Sequence, residues 1–148
     1  MPIPIIAAGL MFTCTPTMVY DGDGPITCRE GPHVRLAGVA ARERDGTCRP
    51  GQPCPPASAE AALAALTNLL GGSRGTVSFH GSPYAHVRVH ADPLYCLSMG
   101  SAGGTRTAAF CRLRDGEDLS CAMLQTKTVL IWARYWPTTR RCNSRKGP

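Results

Sequence analysis

The sequence predicts one α+β domain, mainly β, with short strands forming a small barrel and two to three helices packed beside it. Three observations predict it. A length of 148 residues is that of one domain with one core. Short β-like runs separated by Gly, Ser and Pro turns occupy both halves of the chain, whereas only two stretches carry helical periodicity. The order of strands, a helix, more strands and a last helix is that of a Greek-key barrel with helices on its side. The composition, 43% apolar and 18% charged, excludes intrinsic disorder outside the ends. The length excludes a TIM barrel, and no apolar run approaches the roughly 20 residues that span a bilayer.

Each element has a local cause. The apolar residues 3–12 read as an export signal or as the approach to a first strand, because no Lys or Arg precedes them and no small-x-small cleavage site follows before Cys14. Residues 1–11 are therefore set apart from a domain spanning 12–136. Residues 12–20, apolar and β-branched, form a strand that breaks at Asp21-Gly22-Asp23-Gly24-Pro25, a dense turn signal. Residues 26–28 and 33–39 continue the strand pattern, with Val34 and Leu36 on one face and Arg35 on the other, so Arg35 projects from a strand. Residues 49–56 carry four prolines and a glycine, which excludes helix and sheet, and Cys48 and Cys54 staple this loop.

A helix follows, with Ser58 as N-cap, Glu60 in its first turn, Ala62, Leu63, Leu66, Leu69 and Leu70 on one face, and Gly71-Gly72 at its end. Residues 76–80, 86–90, 94–97 and 105–111 read as strands of a meander. Residues 118–126 make a second helix with Leu119, Ala122 and Met123 inward. Residues 129–136 read as a closing strand, in which Trp132, Tyr135 and Trp136 are assigned to the core ahead of any role in base stacking. Residues 137–148, with Arg140, Arg141, Arg145 and Lys146, form a solvated basic tail that Cys142 pins back.

Sixteen Lys and Arg against ten Asp and Glu leave a net charge of +6, which favours polyanions and nucleic acid above all; solubility alone is the plainer explanation. The eight cysteines contain no CxxC pair and no His at zinc-finger spacing, so they read as disulfides rather than zinc ligands. Disulfides persist in oxidising compartments, which predicts an extracytoplasmic protein, periplasmic or secreted. Hairpin proximity and short loops suggest sequential pairing: Cys14 with Cys28, Cys48 with Cys54, Cys96 with Cys111, Cys121 with Cys142.

Five segments in order carry a resemblance: Tyr20-Asp21-Gly22-Asp23-Gly24, then Val34-Arg35-Leu36-Ala37-Gly38-Val39-Ala40-Ala41-Arg42-Glu43, the helix after Ser58, Thr105-Arg106-Thr107-Ala108-Ala109, and Asp118-Leu119-Ser120-Cys121-Ala122-Met123-Leu124. Together they resemble the thermonuclease, or staphylococcal-nuclease-like, family across residues 12–136. The resemblance implies a five-stranded OB-fold barrel and a monomeric, calcium-dependent nuclease that hydrolyses phosphodiester bonds of DNA or RNA. By position, Asp23 matches a metal-ligating acid with Asp21 beside it. Glu43 matches the acid that contacts metal-bound water and serves as general base, and Arg35 and Arg106 match the arginines that hold the phosphate. The chemistry is coherent: such hydrolysis needs a base, cationic donors for the charged oxygens and usually a divalent metal, hard carboxylate oxygens suit calcium, and planar guanidinium donors suit phosphate.

The departures are specific. Ala40 stands where the family has a further carboxylate, Gly24 where it has Thr, and Ser101-Ala102-Gly103-Gly104-Thr105 replaces the usual approach to the second arginine. Arg88, in Tyr84-Ala85-His86-Val87-Arg88, competes with Arg106 for that role, but the residue beside the Tyr-small pair there is His86, which fits less well. Without the resemblance, Asp21 and Asp23 read as a hairpin turn, Arg35 with Glu43 as a structural ion pair, and Arg106 as a surface arginine. The four histidines never form HExxH, and there is no P-loop or GxSxG motif. Three functions are therefore open: a metal-dependent nuclease, a nucleic-acid-binding module weakened by Ala40, and a structural disulfide-rich domain.

Overall fold

The computed structural model describes residues 2–142. It is mainly β with two α-helices, the expected α+β class. Residues 12–20 do not form one straight strand. They divide at Thr15 into β1, Met11–Cys14, and β2, Pro16–Val19. Glu30 holds that break by accepting from both the Thr15 amide and its hydroxyl, each at 2.7 Å. The turn at Asp21 leads into β3, Ile26–Cys28, then β4, His33–Leu36, and the short β5, Val39–Ala40.

Helix α1, Ala59–Leu69, begins as expected, with Ser58 Oγ accepting from the Ala61 amide. Strands β6, Thr76–Val77, and β7, His86–Arg88, are shorter than expected, while β8, Leu94–Ser101, is longer. Strand β9 is Arg106–Arg112, and α2, Leu119–Gln125, is capped by Asp118. Of the expected closing strand, only β10, Leu130–Ile131, is a strand, and a single 3-10 turn follows at Ala133–Tyr135.

The main sheet runs β1-β8-β9-β4-β3-β2-β7-β6, and β5 pairs separately with β10. It has eight strands, with β1 and β6 at the ends of the hydrogen-bonded order. All neighbours are antiparallel except β4 and β9, where His33 lies opposite Arg106 and Arg35 opposite Ala108. Val19, Ile26, Val34, Leu36, Leu94 and Ala109 are buried in the sheet, and Leu66, Leu70, Leu119 and Met123 from the helices complete one core. Residues before β1 lie on this body: Ile6 donates to Thr107 Oγ1 at 3.0 Å, and Gly9 to the Ser98 carbonyl at 2.9 Å.

All eight cysteines are paired, in the sequential pattern expected. Cys96 and Cys111 stand opposite one another on β8 and β9. Among the described residues, no helix is long and apolar enough to cross a membrane. The Cys14–Cys28 link joins the end of β1 to the end of β3, 14 residues apart, and closing a loop of that size restricts the unfolded chain by about 3 kcal/mol. The double variant Cys14→Ala/Cys28→Ala should therefore lose roughly that much stability in denaturant titration, and a loss below about 1 kcal/mol would count against the loop-closure account.

The tail is only partly what its charge suggested. Arg140 is half-buried rather than fully solvated: it pairs with Asp118 and lies over Phe110 at 3.8 Å and Trp136 at 4.8 Å. Cys142 is tied to Cys121 as expected. Arg145 and Lys146 lie outside the described residues.

Candidate active site

The Asp21 turn is built by its own side chains. Asp21 Oδ1 accepts from the Asp23 amide at 3.2 Å, and the Gly24 amide donates to the Asp21 carbonyl at 3.0 Å. The turn is then stitched to β4, since the Leu36 amide donates to the Asp23 carbonyl at 2.8 Å. Gly24 has φ +111, and a Cβ there would come within 2.5 Å of the Val34 carbonyl oxygen, which accounts for glycine in place of threonine. A Cβ on Gly22 would meet that of Ala62 at 2.4 Å, so α1 can approach the turn only over a glycine.

Arg35 is buried, with 4% exposure. Its Nη1 donates to the carbonyls of Leu36 and Val39, each at 2.6 Å, and its Nη2 to Asp23 Oδ2 at 3.2 Å and Gln52 Oε1 at 3.3 Å. Asp23 Oδ2 also accepts from the Ala41 amide at 3.0 Å. The expected Arg35–Glu43 pair is replaced by two others: Arg35 with Asp23, and Glu43 with Arg49 at 3.6 Å. The Glu43 segment is anchored by its neighbour, because Arg44 Nη1 donates to the carbonyls of Tyr20 at 2.6 Å and Ala85 at 3.0 Å. The Arg44 guanidinium also sits over the Tyr20 and Tyr84 rings.

Arg106 opens β9, its Nη2 donating to the Ala102 carbonyl at 2.9 Å and its Nε to that of Gly103 at 3.3 Å. With five N–H donors on a guanidinium, these two bonds leave others free for a ligand. Arg88, the competing arginine, lines a different cavity with Arg74 and His90.

Asp21, Asp23, Arg35, Glu43 and Arg106 all line one cavity of about 110 Å³, together with Tyr20, Arg49 and Gln52. A second cavity of about 200 Å³ shares Arg35, Arg49, Gln52 and Arg106 and adds Trp132, Arg134 and Tyr135. The chain matches no family model, no curated protein and no solved structure. The site therefore rests on its own geometry.

Several of these residues escaped the sequence reading. Trp132 and Tyr135 do not sit on a core strand; both are half-buried, with Trp132 under the Arg35 guanidinium at 4.8 Å and Arg134 over both rings. Arg49 and Gln52 sit between Cys48 and Cys54, and polar side chains inside a stapled loop were the available signal. His86 is half-buried between the Tyr20 and Phe79 rings.

The electrostatics follow from burial. Desolvation, and after it the neighbouring charge of Asp23, pushes the Asp21 carboxyl well above the ordinary carboxylate range. Desolvation and Asp23 also raise Glu43, with Arg49 opposing them. Among the described residues, no group of three or more His, Cys, Asp or Glu side chains is disposed to hold a metal ion. Ala40, fully buried opposite Leu130, offers no donor. The adjacent buried carboxylates of Asp21 and Asp23 nevertheless fit a hard cation of the kind bound through one or two protein oxygens, water and a substrate phosphate, rather than a full protein cage.

The raised Asp21 has a stability consequence. The native state keeps a proton that the unfolded chain releases near pH 4, so the unfolded chain binds fewer protons and metal-free stability falls as pH rises above that point. Asp21→Asn keeps the acceptor for the Asp23 amide and removes the penalty. In thermal melts with chelator, the variant should match wild type near about pH 4 and gain on it steadily towards about pH 8. Parallel curves would contradict the assignment.

Proposed function

We propose that the protein is a metal-dependent nuclease that hydrolyses phosphodiester bonds of DNA or RNA. One observation carries the reading: two acids of the Asp21 turn, Glu43 from the segment after β5, Arg35 from β4 and Arg106 from β9 converge on a single cavity. Scattered surface charges would have no reason to meet. The resemblance to thermonucleases supports the same roles. If β1 and β2 are counted as one bent strand, the pairings β1–β8, β8–β9, β9–β4, β4–β3 and β3–β2 would lead through five strands back to the first, which supports reading this region as an OB-fold barrel.

In this reading Glu43 takes the proton of the attacking water, and Arg35 and Arg106 stabilise the phosphoryl oxygens as charge builds on them. Asp21 and Asp23 would hold a divalent cation, calcium or another, which supplies further charge stabilisation for those oxygens when bound. Trp132 and Tyr135 adjoin the two arginines in the second cavity, and an unpaired base, whose π-face stacks regardless of sequence, would take a ring face there by displacing Arg134. The four disulfides support an extracytoplasmic location, and a monomer suffices because all five residues come from one chain.

A second reading, a binding module without efficient catalysis, is favoured by Ala40 and by the engagement of Asp23 with Arg35. One assay separates them. Oxidised protein is incubated with single-stranded DNA and with RNA in calcium, magnesium or manganese, with a chelator control. Cleavage that the chelator abolishes is the expected result. Salt-sensitive binding without cleavage under any cation would establish the binding module instead, and neither binding nor cleavage would reject both.

A further inference from the structure

The loop between Cys48 and Cys54 reaches into both cavities. Its disulfide joins residues six apart, and Arg42 ties down its two flanks, donating from Nε to the Pro55 carbonyl and from Nη1 to the Gly46 carbonyl, each at 2.8 Å. From this frame Arg49 meets Glu43 at 3.6 Å, and Gln52 accepts from Arg35 at 3.3 Å. Arg49 is thus the third guanidinium of the site, and it differs from the other two. Arg35 is buried, with both its terminal nitrogens bonded to protein acceptors, and Arg106 is held by two hairpin carbonyls. The Arg49 side chain is 51% exposed and has one carboxylate partner, at a distance longer than a good hydrogen bond. Such a group can exchange one anion for another with little reorganisation. A phosphate offers it bidentate, charge-assisted bonds that the Glu43 contact does not.

We infer that the Cys48–Cys54 loop is a substrate-binding element: Arg49 leaves Glu43 for the incoming phosphodiester, and the disulfide is the constraint that aims it. This rests on the nuclease reading. In the free protein Arg49 covers the carboxylate of the general base, and phosphate binding uncovers it. Opening the disulfide lengthens the free loop and spreads Arg49 over many positions, so the cost of ordering it falls on substrate binding.

The test compares wild type, Arg49→Gln, the double variant Cys48→Ser/Cys54→Ser, and the triple variant. Each is assayed for cleavage of single-stranded DNA with the cation that supports wild-type activity, and for equilibrium binding of a labelled oligonucleotide in chelator, where turnover is suppressed. Arg49→Gln should raise both KM and Kd about tenfold, the loss of one charge-assisted phosphate contact, with kcat within about threefold. The double cysteine variant should reproduce most of that rise, and the triple variant should be no worse than Arg49→Gln. Arg49 is a surface side chain, so its variant keeps the test valid even where the cysteine variant fails to fold. Unchanged KM and Kd in Arg49→Gln, beside an active wild type, would overturn the inference alone. Additive effects of the two changes would overturn the role of the disulfide. A wild type that neither binds nor cleaves would overturn the nuclease reading and the inference with it.

Discussion

Arg35→Met should destabilise the protein by about 3–5 kcal/mol, the cost of breaking a buried ion pair from one side, which for a chain of this size lowers Tm by roughly 10 °C. The magnitude follows from what the guanidinium leaves behind. Asp23, buried, keeps only the Ala41 amide on Oδ2, while the carbonyls of Leu36 and Val39 lose Nη1. Trp132 also loses the cation that covers its ring. Methionine fills the volume but satisfies none of these acceptors. Arg35→Lys separates charge from geometry: an ammonium can neutralise Asp23, but it lacks the planar fork that reaches two carbonyls and a carboxylate at once. The lysine variant should therefore fall between wild type and methionine in a thermal melt. A methionine variant within about 2 °C of wild type would show that Arg35 is a solvated ligand-binding group rather than a keystone of the β4–β5 turn.

That double duty explains what the sequence could and could not reveal. A strand position for Arg35 was legible because Val34 and Leu36 alternate with it, and the Asp21 turn because Asp and Gly have few other uses at that density. Cysteine pairing was legible where a pair closes a short loop, as Cys48–Cys54 does, or a hairpin, as Cys96–Cys111 does, whereas Cys121–Cys142 ties α2 to the chain beyond the 3-10 turn. Residues 129–136 were not. Their aromatic and apolar pattern has the period of a strand, yet the Trp132 amide donates to the Gly38 carbonyl and the chain then closes a 3-10 turn before Pro137. The Trp132 ring there is packed by the guanidinium of Arg35, a partner from β4 on the other side of the sequence, beside the neighbouring Arg134. Local periodicity carries no record of such contacts. The same holds for Arg49 and Gln52, whose loop has no periodicity at all and acquires its place only through the Cys48–Cys54 closure and the Arg42 bonds.

Glu43→Gln should reduce kcat by about 10²–10⁴, the range of a lost general base, while leaving oligonucleotide binding within about threefold of wild type. The substitution keeps the size of the side chain and an acceptor for Arg49, but the amide cannot take a proton from water. Glu43 is not involved in the contacts that bury Arg35, so the melting temperature should barely move, which distinguishes this variant from Arg35→Met. The pH profile adds an independent check. Desolvation and the Asp23 charge raise the Glu43 carboxyl, so the base becomes competent only above the usual glutamate range, and wild-type kcat/KM should climb with pH through a value higher than about 4.3. That limb should vanish from the residual activity of Glu43→Gln. If the variant cleaves at the wild-type rate with the limb intact, the base is another group, and Asp21, whose carboxyl is also raised and lines the same cavity, becomes the residue to replace next.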